Sequence, residues 1–207
     1  MSRIINSREN SNDIFIGANK SGKTTIAEMM AREWRKHRPN NHLIVAFDPT
    51  RRIEDITDIS IDAEDTEWAL RCSKLRNCLL FLDEVRLLNE QNTPVKGLKS
   101  LLQMHTNYNI DIISVFHNPG LVLNAFTYHA QRYFIFHTHT QEGSFQKKIP
   151  NYLLCTTAAE QVNEYVRVFG RGEYPKFPYI VVNTTNQKLQ AYNMDKKLRN
   201  IKIDKRK

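Results

Sequence analysis

The chain has 207 residues, 41% hydrophobic and 25% charged, which is enough to bury one substantial core and too few for a second independent one. No apolar run approaches the roughly 18 residues of a membrane span and the N-terminus lacks the features of a secretory signal, so neither an integral membrane protein nor an exported one is expected, and a cytoplasmic location is. A formal charge of +8 favours a polyanionic partner such as nucleic acid, and three cysteines with no CxxC pair argue against a disulfide framework or a zinc knuckle.

Short apolar runs alternate with amphipathic stretches, the pattern of an α/β fold in which helices cover both faces of a mainly parallel sheet. Ile14-Phe15-Ile16 reads as the first strand and leads into a glycine loop, after which Ile26, Met30 and Trp34 recur at helical spacing until Pro39. Leu43 to Phe47 is the second strand, closed by Asp48-Pro49. A polar connection follows, then a helix with Trp68, Cys72 and Leu75 on one face, then the most apolar strand, Cys78 to Leu82, ending at Asp83-Glu84. Thr93-Pro94 predicts a helix start, with Val95, Leu98, Leu102 and His105 as the buried stripe. Ile110 to Phe116 is a strand, His117-Asn118-Pro119-Gly120 a turn, and a short helix through Phe126 precedes the fifth strand, Tyr133 to Phe136. Thr157 is expected to cap a helix carrying Ala158, Val162, Tyr165 and Phe169 that ends at Gly170. Tyr179 to Val182 and Leu189 to Tyr192 flank a polar turn and read as a C-terminal β-hairpin.

Gly17-Ala18-Asn19-Lys20-Ser21-Gly22-Lys23-Thr24, with Thr25 next in line, satisfies the phosphate-loop pattern G-x-x-x-x-G-K-[ST] between a strand and a helix. The glycines let successive N–H groups point at phosphate oxygens, Lys23 brings a charge to the β and γ phosphates of ATP, and Thr24 offers a hydroxyl to Mg²⁺. Asp83, at the tip of a buried strand, is the second candidate metal ligand, and Glu84 is the candidate base that orients and deprotonates the attacking water. A carboxylate in that position separates motor-type ATPases from small-molecule kinases. His117 and Asn118 end the strand expected between the phosphate-loop strand and the Asp-Glu strand, where a polar group senses hydrolysis; the other reading is a turn-forming pair before Pro119. Arg132 is a candidate arginine finger for an adjacent subunit, in competition with Arg51, Arg86, Arg167 and Arg171. His137-Thr138-His139 puts two imidazoles on one strand face without a third ligand at suitable spacing.

This order of motifs resembles the FtsK-HerA superfamily of DNA-pumping ATPases, and the short form resembles the genome-packaging ATPases of tailless, membrane-containing icosahedral viruses. The resemblance spans about residues 12 to 193 and rests mainly on Gly17 to Thr24 and Leu82-Asp83-Glu84. It implies a RecA-like domain of the Asp-Glu type over 1–195, a homohexameric ring threading DNA, a finger arginine acting in trans, and docking at a capsid vertex or on viral membrane proteins. The family usually carries Gln at the sensor position, where this chain has His117. The basic tail, 196–207, either tracks a phosphate backbone or is a solvated terminus. A phosphotransferase acting on a small molecule and a phage morphogenesis or secretion ATPase are the alternatives to a translocase.

Overall fold

The computed structural model describes residues 10–38, 40–62, 64–65, 67–72, 74–90, 93–94, 97–127, 129–139, 145, 149–173 and 176–194. Its strands are β1 (Asn12–Ile16), β2 (Leu43–Phe47), β3 (Ile59–Ser60), β4 (Cys78–Leu82), β5 (Asn89–Glu90), β6 (Thr93–Pro94), β7 (Ile110–Phe116), β8 (Arg132–Ile135), β9 (Tyr179–Asn183) and β10 (Lys188–Tyr192). Its helices are α1 (Lys23–His37), α2 (Trp68–Cys72), α3 (Leu98–Met104), α4 (Asn124–Thr127) and α5 (Tyr152–Phe169). An eight-stranded sheet runs in the order β10-β9-β8-β1-β7-β4-β2-β3. It is parallel from β8 to β3, and β9 and β10 add to it antiparallel as the expected C-terminal hairpin.

Apolar residues on both faces of the central strands explain why they lie in the middle. Phe15, Ile44, Phe81 and Val115 face α1, which presents Ile26, Ala27, Met30 and Trp34 along one side. Their sequence neighbours Ile14, Ile16, Val45, Leu80 and Phe116 face the opposite way and pack with Leu98 and Leu101 of α3 and Ala158 and Val162 of α5. Asp111, buried in β7, pins the C-terminal end of α1, accepting from Trp34 Nε1 at 2.7 Å and Arg38 at 3.0 Å.

Several boundaries differ from the sequence expectation. Thr93-Pro94 does not start a helix: it pairs with Asn89–Glu90 as a two-stranded ribbon, and α3 begins only after Gly97, which has φ 90°. The side chain of Val95 and the whole basic tail lie outside the described residues. Thr157 lies inside α5, which starts five residues earlier after Asn151 and ends at Gly170 as expected. Strand β3, pairing with Val45 and Ala46, extends the sheet beyond the five strands and hairpin read from the sequence.

Arg132 is committed to an ion pair within the protomer. It opens β8 opposite Asp13, near the start of β1, so within one protomer it sits at the rim away from the phosphate loop. Its Nε and a terminal nitrogen both donate to the Asp13 carboxylate, at 2.7 and 2.6 Å, and Asp13 is 1% exposed. Acting as a finger in trans would first require breaking a buried ion pair, so we assign Arg132 to the fold. Arg132→Ala strands a buried carboxylate and should lower the unfolding free energy by about 3–5 kcal/mol in a urea titration. Lost hydrolysis at undiminished stability would return Arg132 to the finger role.

Candidate nucleotide site

The phosphate loop leaves β1 at Ile16 and is clamped at once. Gly17 N–H donates to Phe116 O at 3.1 Å and Ala18 N–H to His137 O at 2.7 Å, which ties the loop to the segments continuing β7 and β8. A Cβ at Gly17 would lie 2.6 Å from both Phe136 Cβ and Ser21 Oγ, so this position has no room for a side chain. Lys20 (φ 61°) and Gly22 (φ 90°) then turn the chain through left-handed conformations into α1, whose first turn closes with Ile26 N–H on Gly22 O at 3.0 Å. Asn19, Lys20 and Ser21 form the bend, and backbone N–H groups of such a bend at a helix N-terminus form an anion cradle.

Lys23 is 3% exposed and turns its Nζ back onto Ala18 O at 3.3 Å. Burial pulls its pKa down to about 8, with Arg52 adding to the effect and the Asp83 and Glu84 carboxylates opposing it. Asp83 follows β4, donates its N–H to Phe47 O at 2.8 Å and is 2% exposed. Burial, reinforced by Glu84 and Asp48 and relieved by Lys23, pushes its pKa up to about 6. Glu84 adopts φ 53°, a left-handed conformation that costs a residue with a Cβ about 1–2 kcal/mol. Its N–H donates to Asp83 Oδ1 at 3.0 Å, and its carboxylate meets Nε2 of His117 at the tip of β7.

The expected order of strands is therefore present, with β7 between β1 and β4 and His117 against Glu84. The other His117 nitrogen, Nδ1, is buried with no hydrogen-bond partner among the described residues. His137 and His139 pack edge to face, and His137 Nδ1 meets Asn163 at 3.0 Å. Arg51 pairs with Glu54 and Arg167 with Glu164 on the surface, whereas the Arg86 side chain lies outside the described residues.

Two residues of the site had not been singled out from the sequence. Arg52 and Phe177 line one cleft with Lys20, Gly22, Lys23, Thr24 and Thr25. Asp48 builds the turn that carries Arg52, accepting from Thr50 Oγ1 and Ile53 N–H at 2.9 Å each. The available signal was positional, since loops after the C-terminal ends of parallel strands line the ligand crevice. A wider open cleft beside β3 is lined by Asp48, Glu54, Asp58 and Asp62, and that charge does not suit a phosphate.

The oxygen donors near the loop fit Mg²⁺, which takes one or two carboxylates and completes its shell with phosphates and water. Asp83 and Thr24 would hold it; burial raises Asp83 first and the Glu84 and Asp48 carboxylates add to this, so a divalent ion would offset the charge of this carboxylate group.

No protein-family model matches the sequence, and no curated protein matches it. Solved structures do match. The genome packaging NTPase B204 of Sulfolobus turreted icosahedral virus 2, in complex with ATPγS, superposes with a TM-score of 0.64 at 13% identity, covering 90% of this chain and 98% of that one. In fold, the chain resembles B204. A second B204, the DNA-packaging ATPase from Sulfolobus turreted icosahedral virus, matches with a TM-score of 0.61 at 16% identity over 88% and 98% of the two chains. The cytoplasmic domain of the type VII secretion ATPase EccC from Thermomonospora curvata gives 0.60 at 11% identity over 88% of this chain and 23% of that one. The resemblance read from the motifs is thus matched by neighbours of the same kind at the level of fold.

The raised pKa of Asp83 means that the folded state holds its proton from about pH 4 to about pH 6, where the unfolded chain has released it. Stability therefore falls as pH rises through that window, and at neutral pH the ionised group costs about 3 kcal/mol. In metal-free and nucleotide-free protein, Asp83→Asn should raise stability at pH 8 by up to this amount, with the gain gone below about pH 4. A urea titration at both pH values checks it, and Asp83→Asn should at the same time lose Mg²⁺-dependent turnover.

Proposed function

We propose that the chain is an ATP-hydrolysing DNA translocase of the genome-packaging kind, working as a homo-oligomeric ring, a hexamer by the family resemblance. One RecA-like domain over 1–195 carries the chemistry, and the basic tail, 196–207, adds contacts to DNA. The ring works in the host cytoplasm at a capsid vertex, docked on capsid or viral membrane proteins. No helix among the described residues is long and apolar enough to cross a membrane.

The observation that carries the ATPase reading is the convergence of Glu84, held by His117, with buried Asp83 beside the charge of Lys23 on a full phosphate loop. The backbone N–H groups at the entry to α1, from Gly22 to Thr24, bind the β and γ phosphates, while that of Ala18 stays on His137 O, and Lys23 exchanges its contact with Ala18 O for phosphate oxygens. Thr24 and Asp83 hold Mg²⁺. When bound, the ion neutralises charge on the phosphate oxygens. Glu84 accepts a proton from water as its oxygen attacks the γ phosphorus; the bond to the β–γ bridging oxygen breaks, and ADP leaves with that electron pair. His117 holds the Glu84 carboxylate, so a group arriving at the γ position competes with Glu84 for its N–H. That competition is how the strand tip would report nucleotide state.

DNA as cargo is supported by the charge of +8 and by the likeness in fold to two packaging enzymes. The likeness to EccC supports a secretion ATPase as the second reading.

Glu84→Gln should bind ATP with unchanged affinity, measured by equilibrium titration, while single-turnover hydrolysis falls by about a hundredfold or more. A loss below about threefold would move the base elsewhere and favour a phosphotransferase. Duplex or single-stranded DNA should raise steady-state hydrolysis at low salt, and the stimulation should vanish at high salt as phosphate contacts are screened. Hydrolysis indifferent to DNA at every salt concentration would favour the secretion reading.

A further inference from the structure

A nucleotide has two chemically different ends, and the groups described so far serve only the phosphates. Lys20, Lys23 and Arg52 are cationic, Thr24 and Thr25 carry hydroxyls, and Gly22 offers backbone. Phe177 is the one aromatic ring among the described residues lining this cleft.

Its position is tight. A Cβ built at Gly22 would lie 2.1 Å from Phe177 Cγ, 2.3 Å from Cδ2 and 2.6 Å from Cβ, so the ring rests directly on the phosphate loop at the entry to α1. Phe177 belongs to neither apolar cluster and is only partly buried, although Pro178 and Tyr179 after it are buried. An apolar ring therefore stands at the wall of a cationic cleft instead of adding to the core. The segment holding it is braced: Asn193 Nδ2 donates to Phe177 O at 2.9 Å, and Lys176 N–H to Glu173 O at 2.6 Å. The chain then enters β9 against β8. A rigid ring beside a phosphate cradle suits the flat, uncharged end of the same ligand, and stacking on an aromatic face requires no hydrogen-bonding pattern from the base.

We propose that Phe177 is the platform on which the nucleobase of the bound nucleoside triphosphate stacks. The proposal rests on the nucleotide reading above. A phenyl ring has a π face and no donor or acceptor, so it contributes alike to adenine and guanine.

Equilibrium titration of the full chain with Mg·ATP, Mg·GTP and inorganic tripolyphosphate, which has no base, tests it. Phe177→Ala should weaken ATP and GTP each by about tenfold or more and leave tripolyphosphate unchanged. Phe177→Leu, which keeps apolar bulk on Gly22 without a π face, should behave like Phe177→Ala, and Phe177→Trp like the unsubstituted protein. An equal loss for tripolyphosphate, or full ATP affinity in Phe177→Leu, would overturn the platform and make the ring a brace for the loop. Tighter ATP binding in Phe177→Ala would overturn it by making the ring an obstruction. If the unsubstituted protein bound neither ATP nor tripolyphosphate, the nucleotide reading itself would fall, and the platform with it.

Discussion

Gly17 is pressed so closely against Phe136 and Ser21 that no other residue fits, and the geometry of the site hangs on that contact. It sets the loop between the ends of β7 and β8, with backbone bonds to Phe116 and His137 holding either side. The parallel register does the rest. Ile16 pairs with Phe116, Ser114 with Leu82, and Leu82 with Phe47, so the residues that follow these strands, Gly17, His117, Asp83 and Asp48, emerge on one rim. A slip of one residue would exchange the side chains packed on the two faces and scatter the site, so the packing that fixes the register also fixes the positions of the site residues.

The two rims of the sheet differ in how their buried charge is partnered. At the rim where the parallel strands begin, Asp13 is closed by Arg132, and Asp111 by Ser11, Trp34 and Arg38, so buried charge is matched by donors. At the rim where they end, Asp83 and Lys23 are both buried and both pushed toward their neutral forms, and Glu84 and Lys20 sit in left-handed backbone. Burial raises Asp13 as well, but Asp13 is met by the Arg132 guanidinium, whereas the buried charge and left-handed backbone at the end rim lie beside the cleft where a charged ligand would sit.

What the sequence disclosed follows the range of each interaction. The phosphate loop is legible because its function depends on contiguous backbone, and Asp83-Glu84 because an uninterrupted apolar strand ends there. The strand order β1-β7-β4 follows from the same two motifs. Thr93-Pro94 misled because a cap residue before proline fits a ribbon as well as a helix start, and β3 is too short to carry a period. Arg132 looked available because its partner, Asp13, lies far away in sequence. Arg52 and Phe177 were missed for the same reason: neither carries a local pattern, and each reaches the cleft only when distant segments fold together.

On the proposed function, the clamp on the loop would also decide how a nucleotide-dependent signal leaves the site. Ala18 bonds to His137 O, His137 meets Asn163 through Nδ1, and Asn163 Oδ1 accepts the N–H of Thr138 at 2.8 Å. Asn163 lies on α5, whose side chains pack on the sheet face opposite α1. Glu84 is likewise bonded to His117 on the strand next to the loop. A change at the phosphates thus has two short hydrogen-bonded routes outward, one through His117 to β7 and one through His137 to α5. Both begin at groups whose present partners, Glu84 and the loop backbone, are those a bound triphosphate would re-engage. If the chain is the translocase proposed above, coupling hydrolysis to movement would need no hinge in the core, only polar contacts at the strand tips that change partners.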